Sequence, residues 1–420
     1  MKILWIVNTI FPYPSEKLNI KKNVFGGWLN GLTGELEKLP NIELAIATVY
    51  SEKTLKKFKD GNTTYYLIPS KDNTKYDKNL EKYWIEINQE FKPDLVHIHG
   101  TEFAHGLAFL KSCKEVKSVV GIQGLAYAYS KVYYANIEPM EILKNITIRD
   151  IIKRDTIFDA KRKMAKRGEI EKRILKKCDN VIGRTTWDYD NVKSINPKMK
   201  YFYLNETLRE VFYNQNWNID NIERHSIFLS QAWYPIKGLH MMLKALKIIK
   251  REFPDVKLYI AGNDFLTAKN TVAKLKRSGY SKYIFKLIKN NNLEENVIFT
   301  GILTPEKILE QYKKSHVFVC PSIIENESNA LSEAAIIGMP TVCSYVGGIP
   351  DRVENNVNGL LYPFTEYPML AQCIMKYLKN DELAIKHGKE AQKRANVRNN
   401  PDTNVKKLIE IYNNIINEER

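Results

Sequence analysis

No stretch of eighteen consecutive apolar residues occurs in this 420-residue chain, so no segment reads as a bilayer-spanning helix. The first apolar run, Ile3–Val7, closes at Asn8 and has the length of a β-strand rather than of a signal peptide. Cysteine is sparse and unpatterned. Cys113, Cys178, Cys320, Cys343 and Cys373 are odd in number and show neither CxxC nor zinc spacing, which excludes a disulfide framework and fits reduced thiols in a cytoplasm. Low-complexity tracts and internal repeats are missing, and so is charge balance. Acids number 48 against 64 Lys and Arg, a net +16 that favours anionic partners.

What is present is an ordinary globular composition, 44% hydrophobic and 27% charged, over a length that suits two domains. Short β-branched or aromatic runs alternate with helical patterns throughout. Strands are expected at Lys2–Val7, Glu43–Val49, Thr64–Ile68, Leu95–Ile98, Ser118–Ile122, Asn180–Gly183 and Tyr201–Leu204. A second series follows at Ser226–Leu229, Lys257–Ala261, Val297–Thr300, His316–Cys320, Thr341–Ser344 and Leu360–Tyr362. Such alternation implies α/β architecture, with parallel sheets covered by helices on both faces. The polar stretch Tyr213–Arg224 separates the series. We expect one doubly wound domain at 1–212, a second at 213–396, and a C-terminal helix at 397–420 whose return to the first domain stays open.

Ligands of such sheets sit beyond the carboxyl ends of the strands, and the chemistry-bearing residues collect there. In "ENESNALSEAAIIGMPTVCSYVGGIPD" (325–351), Glu325 follows a strand and Glu333 comes after it with seven residues between, on a helix that stops at Gly338 and Pro340. A helix N-terminus between two carboxylates is an anion cradle flanked by hydroxyl acceptors. That order matches a nucleotide sugar: sugar hydroxyls, diphosphate, ribose hydroxyls. Taken alone, the pair reads more simply as two surface glutamates beside a capped helix, since exposed carboxylates are the rule. Three further loops shift the balance: Gly347-Gly348 after the next strand, Lys237-Gly238 before a helix, and Gly26-Gly27 near the N-terminus. Each lets backbone N–H groups approach an anion.

At these residues the sequence resembles the family 4 glycosyltransferases, retaining enzymes of GT-B architecture whose two Rossmann-like domains face each other across a cleft. The likeness covers nearly the whole chain. It rests on "PSIIENESNALSEAAIIGMPTVCSYVGGIPDRVENNVNGLLYP", with "YPIKGLHMMLKAL", "YIAGND", "VIFTGIL", "PDLVHIHGTE" and "FGG". The resemblance implies that Glu325 and Lys237 serve catalysis, Glu325 facing the donor sugar and Lys237 the diphosphate. It further implies that Glu333 binds the ribose, and that N–H groups of Asn329, Ala330 and Leu331 meet sugar and phosphate. Gly26 and Gly27 would let the diphosphate approach the N-terminal domain, while Gly262 and Ile302 would flank the base. No cofactor and no metal are expected beyond the nucleotide-sugar substrate. The acceptor would be a glycan or lipid-linked glycan, in envelope or capsular polysaccharide synthesis.

Two departures from the family pattern stand out. The arginine expected five or six residues before Lys237 is replaced by Ala232 and Gln231, and Arg184 in "VIGRTTWDYD" is the first candidate to supply the missing cation. Gln123 stands where many relatives have a sugar-contacting histidine, which suits recognition rather than proton transfer. Other signals are discounted. Asp188-Tyr189-Asp190 spells a metal motif of another architecture but reads as acids in a first helical turn. His97 and His99 share a strand face without a third ligand. Two glutamates could form a glycosidase pair, but the helix N-terminus and Lys237 suit phosphate better.

The charge surplus is local. Residues 144–177 hold thirteen basic residues against five acids, half the net charge in a twelfth of the chain. Isoleucines run through this segment, and Tyr127, Tyr129, Tyr133 and Tyr134 precede it. Aromatics beside basic helices suit an anionic membrane surface, here the inner face of the plasma membrane, with no nucleic acid expected. A solvated helix packed on its own domain fits the same residues. Rival readings are a nucleotide-sugar epimerase of the same fold, and a non-catalytic nucleic-acid- or membrane-binding protein on a transferase scaffold.

Overall fold

Strand β1 (Lys2–Ile6) shows why the first sheet forms where it does. Successive side chains of a strand point to opposite faces, and a parallel sheet is covered on both, so every position must be apolar. Ile3, Trp5 and Val7 join one core, with Leu32 and Leu36 of helix Gly27–Glu37 and Leu408, Ile411, Tyr412 and Ile415 of helix Pro401–Asn417. Leu4 and Ile6 join the other, with Trp84, Leu107, Phe109 and Ile174. The structure is a computed structural model and describes residues 1–20, 27–262 and 277–418.

The first sheet continues with β2 (Glu43–Tyr50), β3 (Lys56–Asp60), β4 (Thr63–Pro69), β5 (Leu95–His99), β6 (Ser118–Gly121), β7 (Asn180–Gly183) and β8 (Lys200–Tyr203). Their order is β3-β4-β2-β1-β5-β6-β7-β8. All neighbours are parallel except the β3–β4 hairpin. The second sheet comprises β9 (Ser226–Leu229), β10 (Lys257–Ala261), β11 (Val297–Gly301), β12 (Val317–Cys320), β13 (Thr341–Ser344) and β14 (Leu360–Tyr362). It is wholly parallel, in the order β11-β10-β9-β12-β13-β14. Phe228, Tyr312 and Phe318 pack edge-on beneath it, with ring centroids 5.0 and 5.5 Å apart across Tyr312. Each strand expected from the sequence is present, and β3 is added.

The chain divides into two units that differ from the expected boundaries. The first unit holds Met1–Ala128, Met164–Arg209 and Asn399–Arg420; the second holds Tyr129–Lys163 and Glu210–Arg398. Residues 129–163 thus leave the expected 1–212 domain. The cause is local packing. Helix Pro139–Asn145 lies on helix Gly279–Asn290, and Asp150 accepts the Gly279 N–H at 2.7 Å. Helix Pro401–Asn417 belongs to the first unit, where the Tyr412 hydroxyl accepts Trp5 Nε1–H at 3.1 Å and lies 2.7 Å from His97 Nδ1.

Candidate functional site

The loop after β12 is built by close approach. Pro321 ends the buried run Val317–Cys320, and Ser328 caps helix Asn329–Ile336, its hydroxyl accepting the Leu331 N–H at 3.4 Å. Between them the chain is tied to two neighbouring loops. The Ile323 N–H donates to the Ile236 carbonyl at 2.9 Å, and the Gly348 N–H to the Glu325 carbonyl at 3.0 Å. Gly238 and Gly347 have φ of +73° and +51°. A Cβ on Gly238 would lie 1.8 Å from the Pro321 carbonyl oxygen, and one on Gly347 would lie 1.9 Å from that of Glu325. Both glycines are therefore spacers that seat the loop. The Gly348 N–H, expected to meet an anion, holds Glu325 instead.

On this frame sit Glu325, Lys237 and Ser322. Lys237 Nζ lies 2.6 Å from Glu325 Oε1, to which the Ser322 hydroxyl also donates at 2.7 Å. The pair is largely enclosed, with side-chain exposures of 18% and 8%. Burial works against the ammonium charge, yet the Glu325 carboxylate and the nearby Tyr234 and Tyr129 outweigh it and hold Lys237 above its ordinary range. Tyr129 accepts the Asn326 N–H at 3.2 Å. Burial, then Glu325, push its phenol above the usual tyrosine range. Cys320 is pushed up to about 11 by burial and Glu325, which keeps it an unreactive thiol. Lys237, Ser322, Glu325 and Cys320 border a pocket of about 200 Å³, whose lining also includes Gln231, Asn329 and Ala330. A cation, a helix N-terminus and a buried carboxylate thus converge at the carboxyl ends of β9 and β12.

Other expected residues of this unit are placed as follows. Glu333 is buried one turn into helix Asn329–Ile336. Asn329 and Ala330 line the pocket, whereas the Leu331 N–H is taken by Ser328. Gly262 bridges to Gly301, its N–H donating at 2.9 Å, and its φ of +131° sets it against the Trp233 ring. Ile302, just beyond, is two-thirds exposed at 66%. Gln231 lines the pocket and Ala232 is buried, so neither position restores the missing cation.

The remaining expected residues lie in the first unit. Gly26 falls outside the described residues, and Gly27 opens helix Gly27–Glu37. Gln123 and Arg184 line a second pocket together with His99, Glu206 and Asn404. Arg184 Nη2 lies 3.3 Å from Glu206 Oε1, with both side chains under 10% exposed, so this cation already serves a buried carboxylate of its own unit. Asp188 accepts the Arg184 N–H at 3.0 Å, and its own N–H donates to Thr185 Oγ1 at 3.1 Å. That is the work of a cap. His97 and His99 stack at 3.7 Å and are buried. Burial and Arg184 lower His97 to about 3.

The sequence did not single out Ser322, and it assigned Tyr129 to a membrane-facing set of tyrosines. That assignment is corrected. Tyr127 and Tyr133 are buried, Tyr129 meets the Glu325 loop, and Tyr134 packs on Phe158 at 5.5 Å.

Residues 191–394 match the family model described as Glycosyl transferases group 1. The chain is similar to the poly(ribitol-phosphate) alpha-N-acetylglucosaminyltransferase of Staphylococcus aureus, 26% identical over 181 residues. That match spans 43% of this chain and 33% of the relative's length. Among solved structures it is similar to sucrose-phosphate synthase from Thermosynechococcus elongatus, with a TM-score of 0.70 at 16% identity over 99% of both chains. It is also similar to HepE from Anabaena in complex with UDP and glucose, with a TM-score of 0.66 at 15% identity over 98% of this chain and 99% of that one. The chain therefore has the GT-B fold, and its residues 191–394 are similar to the Glycosyl transferases group 1 family.

Proposed function

We propose that the protein is a retaining glycosyltransferase that moves a sugar from a nucleoside-diphosphate donor to a hydroxyl of a growing envelope or capsular polysaccharide. The observation that carries this reading is the Lys237–Glu325–Ser322 group beside the Asn329–Ile336 helix N-terminus. Departure of the diphosphate develops negative charge, which Lys237 and the N-terminal end of that helix stabilise. No metal is needed for this step. Glu325 accepts a hydroxyl of the donor sugar, and Glu333 bonds the ribose. In doing so the ligand's phosphate competes with Glu325 for Lys237, so donor binding releases the carboxylate toward the sugar. Gly262 and Ile302 flank the base.

The named relative acts on poly(ribitol-phosphate) and one structural neighbour holds UDP and glucose, which supports a uridine donor and a polyol-phosphate or glycan acceptor. The protein would work on the cytoplasmic side of the membrane. The basic segment 144–177 would hold it at the inner surface, where lipid-linked acceptors are built.

A thermal-shift screen across UDP-, GDP- and ADP-sugars tests the donor, since a ligand of the folded state must raise the melting temperature. Glu333→Ala should weaken binding of the bare nucleotide. Glu325→Ala should spare that binding and lower kcat by about 10- to 150-fold, the worth of a charged hydrogen bond of about 1.5–3 kcal/mol. Equal affinity of both variants for free nucleoside diphosphate would overturn the ribose assignment.

A further inference from the structure

Helix Ile148–Lys153 is amphipathic in the reverse of the usual sense. A surface helix normally turns its apolar stripe inward and its charges to water. Here the charge goes inward. Asp150 is 1% exposed, accepts the Gly279 N–H at 2.7 Å and pairs with Arg149 at 2.9 Å. Thr147 caps the helix through a reciprocal bond with Asp150, and its hydroxyl donates to the Arg277 carbonyl at 3.1 Å. The side facing water carries Ile148, Ile151 and Ile152, at 70%, 65% and 76% exposure. The preceding helix, Pro139–Asn145, repeats the pattern. Ile142 and Asn145 face inward, while Met140 and Leu143 stand out at 60% and 52%. Lys144, Lys153 and Arg154 are exposed among them.

We propose that this face, five large apolar side chains within thirteen residues and bordered by the exposed Lys153 and Arg154, inserts into the interface of an anionic phospholipid membrane. The inference sharpens the membrane part of the function proposed above. It moves the contact from the centre of the basic segment, Lys161–Arg167, to residues 140–154. Charge selects the occupant. Lys153 and Arg154 stand beside the isoleucines in a segment, 144–177, with thirteen basic residues against five acids, and anionic headgroups neutralise that excess. The isoleucines then supply what charge alone lacks, burial among acyl chains.

Sedimentation of the full chain with phosphatidylglycerol–phosphatidylcholine vesicles tests this, against pure phosphatidylcholine and at low and high salt. Wild type should sediment with the anionic vesicles. The triple variant Ile148→Ser, Ile151→Ser, Ile152→Ser should lose at least tenfold in partitioning while keeping its melting temperature, because the three side chains are exposed. Lys153→Gln with Arg154→Gln should mimic the effect of salt. Wild type that stays in the supernatant overturns the membrane reading. Binding lost through Lys161→Gln, Lys163→Gln and Lys166→Gln but not through the isoleucine triple overturns this face. A concentration-dependent dimer that the triple dissolves, with no vesicle binding, assigns the face to self-association and also overturns it. The transferase reading is read separately, by the donor-induced thermal shift of wild type and triple alike.

Discussion

At Gly347 the backbone, not the side chain, carries the chemistry, because it lets the Glu325 carbonyl come within a distance no Cβ tolerates. Gly347→Ala must push that loop away in addition to adopting φ of +51°, and is expected to destabilise by about 1–3 kcal/mol and to lower kcat. Gly301→Ala is the control. It also sits at positive φ, +77°, but its Cβ would meet nothing within 4 Å, so it should cost only the strain of the turn, about 1 kcal/mol, and leave the Glu325 loop in place. Denaturant melts and turnover of both variants compare the two. Equal kcat would mean that the approach to Glu325 is immaterial.

The same scale shows what was readable in the chain. Glu325 and Lys237 were legible because each is a charged residue in the loop between a strand and a helix, and the strands were apolar enough to locate. Ser322 was two residues past such a strand and passed as loop polarity. Tyr129 could not be found this way, since it reaches Asn326 across 197 positions and lies in a run of tyrosines with other duties. Arg184 was legible as a cation at a strand end. Its partner Glu206 was not, because ion pairing across β7 and the chain beyond β8 leaves no periodic trace.

Among the elements, β3 escaped the sequence reading for a plain reason. In Lys56–Asp60 only Phe58 is apolar, as suits an edge strand with charge on its outer face, so no alternation announces it. β5 was legible as a strand, and its two histidines, discounted as metal ligands from their spacing, are buried. Burial keeps His97, His99, His105, His240, His316 and His387 below the ordinary imidazole value of 6.5, with His97 at about 3 and His105, His240 and His316 at about 4. The unfolded chain binds protons at these sites that the folded chain refuses. Stability should therefore fall as pH drops below about 6.5, each histidine adding a slope of about 1.4 kcal/mol per pH unit. Glu171, raised to about 7 by burial, and Glu102, raised likewise, act in the opposite sense. There the folded chain keeps a proton that the unfolded chain has lost, so their share of stability fades as pH rises above about 4.5, for Glu171 up to about 7. Six imidazoles outweigh two carboxyls. Melting temperatures should fall from pH 6.5 to pH 5, and a flat or rising curve would show that the histidines ionise in place.

For the whole molecule, the two-series alternation revealed two sheets, but the path of the chain between them was hidden. Nothing in residues 129–163 signals that they pack on Gly279 and His240, because those contacts join segments over a hundred positions apart. The last helix is likewise part of the first core, through Leu408, Ile411, Tyr412 and Ile415. Deleting residues 399–420 should uncover that core and deprive Trp5 and His97 of the Tyr412 hydroxyl. Losses of about 2–5 kcal/mol per large buried side chain leave little of the first unit folded. A truncated chain that melts with the full-length one would show the helix to be an appendage.

The same discontinuity bears on inheritance. Recombination between related genes exchanges continuous stretches of sequence, and the second unit is not one. A hybrid spliced near residue 212 would keep this chain's Tyr129, Ala135 and Asp150 while importing foreign counterparts of Asn326, His240 and Gly279. Residues 129–163 and 210–398 are therefore expected to pass from one chain to another only together, because their contacts cross the point where such a hybrid is joined.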